Sequence, residues 1–235
     1  MIPADHLSAA VVERLQIQFP ALRLVRSGGD SVIGLDDSEL NGTDTNNLAI
    51  DLAFYLHNPS LPLENLCSRL DNYEPRTESQ KELLRYAYQL AELNDSSRGA
   101  GLFIYGDAGI GKSHIAVGIS KNFMSKGLLP TFMSADTYTF NTHLDLESGQ
   151  VWIIDDLNSG YGLSSRLYKK VILNIHDKGG RVFVTSNKPY EDLLKEMFVG
   201  EGSADRTRYD DRTRSMFKIL KVHGDSYRQD TAWYK

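Results

Sequence analysis

The spacing of apolar and polar residues changes character along the chain. Residues 7–26 set apolar side chains among charged ones at roughly helical spacing, which predicts a helix. The next stretch, GLDDSELNGTDTNN at 34–47, is rich in Asp, Asn, Gly, Ser and Thr and predicts a loop. LAIDLAFYLHN at 48–58 predicts a second, short helix. Residues 1–70 therefore read as a small helical module, with no internal repeat and no low-complexity tract.

A clearer signal begins at Pro75. Thr77 and Gln80 have the spacing of a capping box, and Leu83, Leu84, Ala87, Leu90 and Ala91 follow on one helical stripe that Gly99 ends. From there short apolar runs alternate with helical patterns. GLFIYG, LLPTFMS, VWIIDD, RVFVTSN and KILKVH predict strands, and KSHIAVGISKNFMSKG and GLSSRLYKKVILNIHDKGG predict helices between them. The unbroken apolar run of VWII suggests a strand buried on both faces. The alternation predicts an α/β fold, a parallel sheet flanked by helices, over residues 71–235.

Between the first of these strands and its helix stands GDAGIGKSH, residues 106–114. Gly106, Gly111, Lys112 and Ser113 satisfy G-x-x-x-x-G-K-[ST], the P-loop spacing, in the strand-to-helix context it requires. A random chain of this length matches the spacing roughly once in a hundred. Glycines let backbone N–H groups turn inward around phosphate oxygens, and the helix N-terminus adds favourable partial charge. Gly106, Asp107, Ala108, Gly109, Ile110, Gly111, Lys112, Ser113 and His114 are thus the candidate nucleotide cradle. Lys112 would reach the β and γ phosphates of ATP, and Ser113 would ligate Mg²⁺.

The acids that end VWIIDD suit the same chemistry, because ligands in open α/β sheets bind at the carboxyl ends of the strands. Asp155 would hold Mg²⁺ through water, and Asp156 would orient or deprotonate the attacking water. Standing alone, such a pair reads as a cap on the next turn. Asn187, which ends RVFVTSN, offers a neutral amide beside the γ-phosphate, or else merely starts the turn before Pro189. Further on, Arg206, Arg208, Arg212, Arg214, Lys218, Lys221 and Arg228 form a basic group. Their chemistry alone leaves open phosphoryl-charge stabilisation, contact with a nucleic-acid backbone, and a solvated basic helix.

Charge is unevenly divided. Residues 1–98 carry 8 Lys and Arg against 15 Asp and Glu, whereas residues 99–235 carry 18 against 16. Any nucleic-acid contact is therefore expected in the second half. The single cysteine, Cys67, excludes an internal disulfide and a cysteine-based metal cluster and suits a reduced, cytoplasmic setting. No apolar run is long enough to span a membrane, and the N-terminus lacks a secretory pattern.

The order GDAGIGKSHIA, VWIIDDL, VFVTSNKP, DRTRSMFKILKVHGDSYR, preceded by LDNYEPRTESQ, resembles the AAA+ ATPases of the DnaC/DnaI helicase-loader and IstB transposition-helper group over about residues 70–229. The resemblance implies that Lys112 and Ser113 are the Walker A pair, Asp155 and Asp156 the Walker B acids, and Asn187 sensor 1. Arg212 matches the arginine finger that completes a neighbouring subunit's site, and Arg228 a late nucleotide-sensing arginine. It also implies a reduced or absent helical lid, in keeping with the 48 residues that follow Asn187. The implied activity is slow hydrolysis of ATP to ADP and phosphate by a homo-oligomer or mixed AAA+ assembly. The implied task is to load or remodel a protein partner such as a helicase or transposase. Two departures bear on this. Asp155 lies only 43 positions after Lys112, so SADTYTFNTHLDLESGQ leaves little room for the helices that handle single-stranded DNA in the family, and DNA remains an open partner. Walker B also ends in Asp156 where many AAA+ proteins carry Glu. The alternative is a nucleotide-gated adaptor with little turnover, acting away from DNA. Residues 1–70 lie outside the resemblance and are expected to bind the partner.

Overall fold

The structure, a computed structural model, describes residues 2–3, 9–18, 22–27, 30–35, 42–93, 99–136, 151–200 and 203–229. Two compact units divide it, Met1–Cys67 and Ser68–Lys235.

The first unit combines helices with a small sheet. β1 (Ile2–Pro3), α1 (Ala9–Gln18), β2 (Leu22–Ser27), β3 (Asp30–Leu35) and α2 (Gly42–His57) follow in order. The sheet is antiparallel in the order β1-β3-β2, with Leu22 opposite Leu35 and Ser27 opposite Asp30. Two helices, α1 and α2, stand where a helical module is expected, but a three-stranded sheet not expected from the sequence accompanies them, and the helix expected across 7–26 gives way to a strand at Leu22. LRLVRS is registered against DSVIGL, with Leu24 opposite Ile33 and Val25 opposite Val32, and the β-branched residues of this pair favour a strand over a helix. The expected loop at 34–47 also shortens, since Gly42 to Asn47 are already helical. Thr, Asp and Asn serve a first helical turn as readily as a loop. Val11, Val12 and Leu15 of α1 pack with Leu48 and Leu52 of α2 and with Leu66 and Cys67 in a buried cluster.

The second unit opens with α3 (Glu78–Glu92). Its start is fixed by the capping box: the Gln80 amide donates to the Thr77 hydroxyl, and the Thr77 amide donates to Gln80 Oε1 at 3.0 Å. Then follow β4 (Ala100–Gly106), α4 (Lys112–Met124), β5 (Thr131–Ser134), β6 (Val151–Asp155), α5 (Gly162–Lys178), β7 (Arg181–Ser186), α6 (Tyr190–Met197), α7 (Ser203–Met216) and β8 (Phe217–Val222). The five strands from β4 to β8 form one parallel sheet in the order β5-β6-β7-β4-β8. Every residue of β6 and β7 is buried, the outcome expected for central parallel strands covered on both faces. Phe103, Trp152, Ile154, Val182 and Val184 pack with α5, α6 and α7 on one face, while on the other Phe183 stacks on Phe123 of α4. Among the described residues, β8 is followed only by a single 3₁₀ turn, Tyr227–Gln229. Most of SADTYTFNTHLDLESGQ, residues 137–150, lies outside the described residues, and with it the question of its helices.

Candidate functional site

Strand order brings the predicted motifs together. β7 lies between β6 and β4, so the end of RVFVTSN sits between the acid pair that ends β6 and the loop that leaves β4. All three converge at the carboxyl edge of the sheet.

The loop from Gly106 to Gly111 makes a turn that side chains would obstruct at all three of its glycines: a Cβ at Gly106 would lie 2.0 Å from the Val222 carbonyl oxygen, and the other two stand within the turn itself. Gly109 has φ +79°, and a Cβ there would lie 2.0 Å from Ser226 Oγ. Gly111, the N-cap of α4, has φ +87°, and a Cβ there would lie 2.5 Å from the ring of Tyr73. Both positions need the left-handed region that glycine enters without cost. Ile110 is fully buried, and its carbonyl accepts from the Tyr73 hydroxyl at 3.1 Å and from Gln80 Nε2 at 3.4 Å. Gly109 O accepts from the Tyr227 amide at 2.9 Å, and the Tyr227 hydroxyl donates to Glu74 O at 2.6 Å. The loop is therefore braced by the segment before α3 and by the segment after β8. Asp107 and Ala108 are exposed at its rim.

Lys112 is buried and spends its three donors on Gly106 O at 2.9 Å, Asp107 O at 2.6 Å and Asn187 Oδ1 at 2.8 Å. Burial lowers its pKa, while the charges of Asp156, Asp155 and Asp107 oppose that shift and Arg228 adds to it. A phosphate oxygen entering the loop would replace one of the three acceptors. The Asn187 amide donates to Asn158 Oδ1 at 2.7 Å, so the loop after β6 holds the asparagine in place.

Asp155 is buried at 5% exposure, and burial pushes its pKa up, against hydrogen bonds from Thr185 and Ser113. Thr185 Oγ1 donates to Asp155 Oδ1 at 2.7 Å and accepts from the Asp156 amide at 2.9 Å. Asp156 has φ +54°, the one positive value outside glycine among the described residues. Asp tolerates that region better than most residues because its short side chain bonds locally. A buried carboxylate with a serine hydroxyl bonded to it is a donor pair that suits a hard cation. Among the described residues no group of three or more His, Cys, Asp or Glu could hold a metal alone. Mg²⁺ would thus need phosphate oxygens and water to complete its shell beside Ser113 and Asp155.

Two predicted residues sit differently from the rest. The His114 imidazole turns to the segment before α3, with Nε2 2.9 Å from both Arg69 O and Asn72 Oδ1. Burial lowers its pKa, and both neighbours accept, so Nε2 carries the proton. Its ring is committed to the brace rather than to a phosphate. Arg212 lies on α7 and lines a cavity of about 270 Å³ with Lys169, Leu173, Phe198, Arg208 and Tyr209. The His176 hydrogen bond is the chief influence that lowers the pKa of Asp177, and the Arg212 charge adds to it, near the end of α5 that leads back into β7. That is the amino edge of the sheet, opposite the phosphate loop, so Arg212 does not join Lys112 within one chain. Arg228, in contrast, follows Tyr227 on the loop's side, where its charge acts on Lys112.

Sequence reasoning missed Thr185, Tyr73, Asn158 and Ser226. The strings TSN, LDNYEP and GDSYR contain three of them, but each contact is made with a residue distant in sequence.

No family model matches this chain. No curated protein matches it. Solved structures do. DnaI matches with a TM-score of 0.59 and 16% identity, over 71% of this chain and 93% of the other. A protein of Streptococcus pyogenes serotype M3 described as a primosome component matches with a TM-score of 0.58 and 20% identity, over 74% of this chain and 97% of the other. The DnaC helicase loader matches with a TM-score of 0.55 and 19% identity, over 68% of this chain and 99% of the other. The fold is similar to those of DnaI and of the DnaC helicase loader, the group to which the motif order points. Among the described residues no helix is long and apolar enough to cross a membrane.

Proposed function

We propose that this chain is an ATP-binding and ATP-hydrolysing AAA+ switch that loads or remodels a protein partner, of the helicase-loader or transposition-helper kind. The observation that carries the reading is the convergence of Lys112, Asp155, Asp156 and Asn187 at one strand edge beside a glycine loop. Lys112 and the loop amides would hold the triphosphate, and Ser113 and Asp155 would hold Mg²⁺, which would spread charge over the β and γ phosphates. Asp156 and Asn187 would orient a water for in-line attack on the γ-phosphorus. The new P–O bond forms as the bond to the β–γ bridging oxygen breaks. ADP carries away the bonding pair, and the water's proton passes to Asp156 or to the departing phosphate. Arg212, on the opposite edge, would act on the site of a second copy, which supports a homo-oligomer or mixed AAA+ assembly. Residues 1–70 would carry the partner contact, in a cytoplasmic setting.

The test is ATP turnover against protein concentration for the wild type, Lys112→Ala and Arg212→Ala. Turnover per chain should rise with concentration, vanish in Lys112→Ala, and lose its concentration dependence in Arg212→Ala. Failure of the wild type to retain ATP at millimolar concentration, alone or assembled, would sink the reading. A second reading, a nucleotide-gated adaptor with little turnover, is favoured by Asp156, whose carboxylate is one methylene shorter than Glu and leaves a left-handed backbone. Partner binding that survives Asp156→Asn but not Lys112→Ala would select it.

A further inference from the structure

Thr185 is a fully buried polar residue in a strand whose neighbours Val182, Phe183 and Val184 are apolar and fully buried. Packing does not ask for its hydroxyl, since valine fills nearly the same volume and suits a strand at least as well. The hydroxyl instead uses both of its capacities on the acid pair. It donates to Asp155 Oδ1 at 2.7 Å and accepts from the Asp156 amide at 2.9 Å. The Thr185 carbonyl then accepts from the Leu157 amide at 2.8 Å. One residue thus grips three consecutive residues of the neighbouring strand end. Asp156, with φ +54°, is held in its left-handed conformation between two of those bonds. The Asp156 N–H has left the strand ladder, and the Thr185 hydroxyl takes the place of a backbone acceptor.

We propose that Thr185 is a positioning residue for hydrolysis, orienting the Asp155 carboxylate and fixing the turn that aims Asp156. The inference rests on the ATP-hydrolysing reading above. It adds a residue that acts through two others, Asp155, which would hold the metal, and Asp156, which would orient the water. The phosphate loop makes no use of Thr185, so nucleotide affinity without metal is independent of it.

The experiment compares wild type, Thr185→Val and Thr185→Ser, measuring steady-state turnover and the affinity for a fluorescent ATP analogue with and without magnesium. Thr185→Val should bind the metal-free nucleotide within about twofold of wild type, lose most of the magnesium-dependent gain in affinity, and lose kcat on the order of tenfold to a hundredfold with little change in KM. Thr185→Ser, which restores the hydroxyl without the methyl, should recover kcat to within several-fold of wild type. Wild-type kcat in Thr185→Val, or a serine variant as impaired as the valine one, overturns the proposal. Should Thr185→Val fail to bind metal-free nucleotide, Thr185→Ala replaces it. Failure of both to fold overturns the proposal too, because the hydroxyl would then serve the fold rather than the acids. A wild type that binds ATP but does not hydrolyse it fails the parent reading instead, and the two failures are read from different proteins.

Discussion

Asp155→Asn should make the protein more stable and less able to use magnesium, two effects of opposite sign from one atom. Asp155 is buried, and burial is the largest influence on its pKa, raising it above the ordinary carboxylate value despite hydrogen bonds from Thr185 and Ser113 and the nearby Lys112 charge. A carboxyl with a raised folded-state pKa binds its proton more tightly in the native state than in the unfolded one. Ionisation therefore costs native stability, about 1.4 kcal/mol for each pH unit between the two values. The cost is absent below the unfolded-state pKa and complete above the folded one. Asparagine removes the charge, keeps an acceptor for Thr185 and occupies the same volume. The opposing loss is one of the attractions that sustain the Lys112 charge. With desolvation the leading influence, the variant should be the more stable protein at neutral pH. For a chain of this size each kcal/mol so gained raises the melting midpoint by about 2–4 °C. The assay is thermal unfolding of both proteins between neutral and mildly acidic pH. The gap should be widest at neutral pH and close as the wild-type carboxyl becomes protonated. Saturating magnesium and ATP at a hundred times Kd should add about 2.7 kcal/mol to the wild type, and the magnesium-dependent share should be missing from the variant. A variant no more stable than wild type at neutral pH, or a gap that widens on acidification, would refute the claim that desolvation governs this carboxylate.

The brace around the phosphate loop makes two further predictions. Gly109→Ala should cost roughly 1–2 kcal/mol for a left-handed alanine, and more through its clash with Ser226 Oγ. Chemical unfolding reads the total, and pairing the change with Ser226→Gly should recover only the clash. Tyr73→Phe should cost about 1 kcal/mol, since the Ile110 carbonyl keeps Gln80 as a weaker donor, and should weaken ATP binding several-fold in an equilibrium titration. Tyr88→Phe, on the exposed side of α3, is its control and should change neither.

The strands of the second unit were legible because burial on both faces writes itself as unbroken apolar runs. VWII and VFV need no partner to be recognised, and a glycine loop entering a helix is a local pattern. The strands of the first unit were hidden for the converse reason. LRLVRS and DSVIGL are short, carry neither an unbroken apolar run nor a strict alternation, and follow a helical segment whose spacing blurs into them. Other features depend on contacts between distant residues. Thr185 meets Asp155 across 30 positions, and Tyr73 meets Ile110 across 37. No window of sequence contains either pair. For His114, adjacency to Ser113 suggested a nucleotide contact, but adjacency on a helix sets direction only in steps of about 100°, and the imidazole faces the preceding segment.

Arg212 and Arg228 show how far residue type falls short of placement. Both are arginines after the last predicted acid, and composition makes them equivalent. β8 separates them: α7 runs down to the sheet's amino edge before β8 begins, and the chain returns to the carboxyl edge after it. One strand of six residues thus puts two like charges at opposite poles of the same unit. The segment after β8 does more than carry Arg228. Its Tyr227 amide holds Gly109, its Tyr227 ring packs under Arg76 at 4.1 Å, and the His223 carbonyl accepts from Thr77 at 2.8 Å. Those bonds tie it to the same 73–80 stretch that supports Ile110 from the other side. A displacement of the loop at Gly109 or Ile110 must therefore move both supports together or break the bonds that join them. That stretch continues without interruption to Ser68, where the second unit begins, so the bonds that hold the phosphate loop in shape also connect it to the start of its own domain.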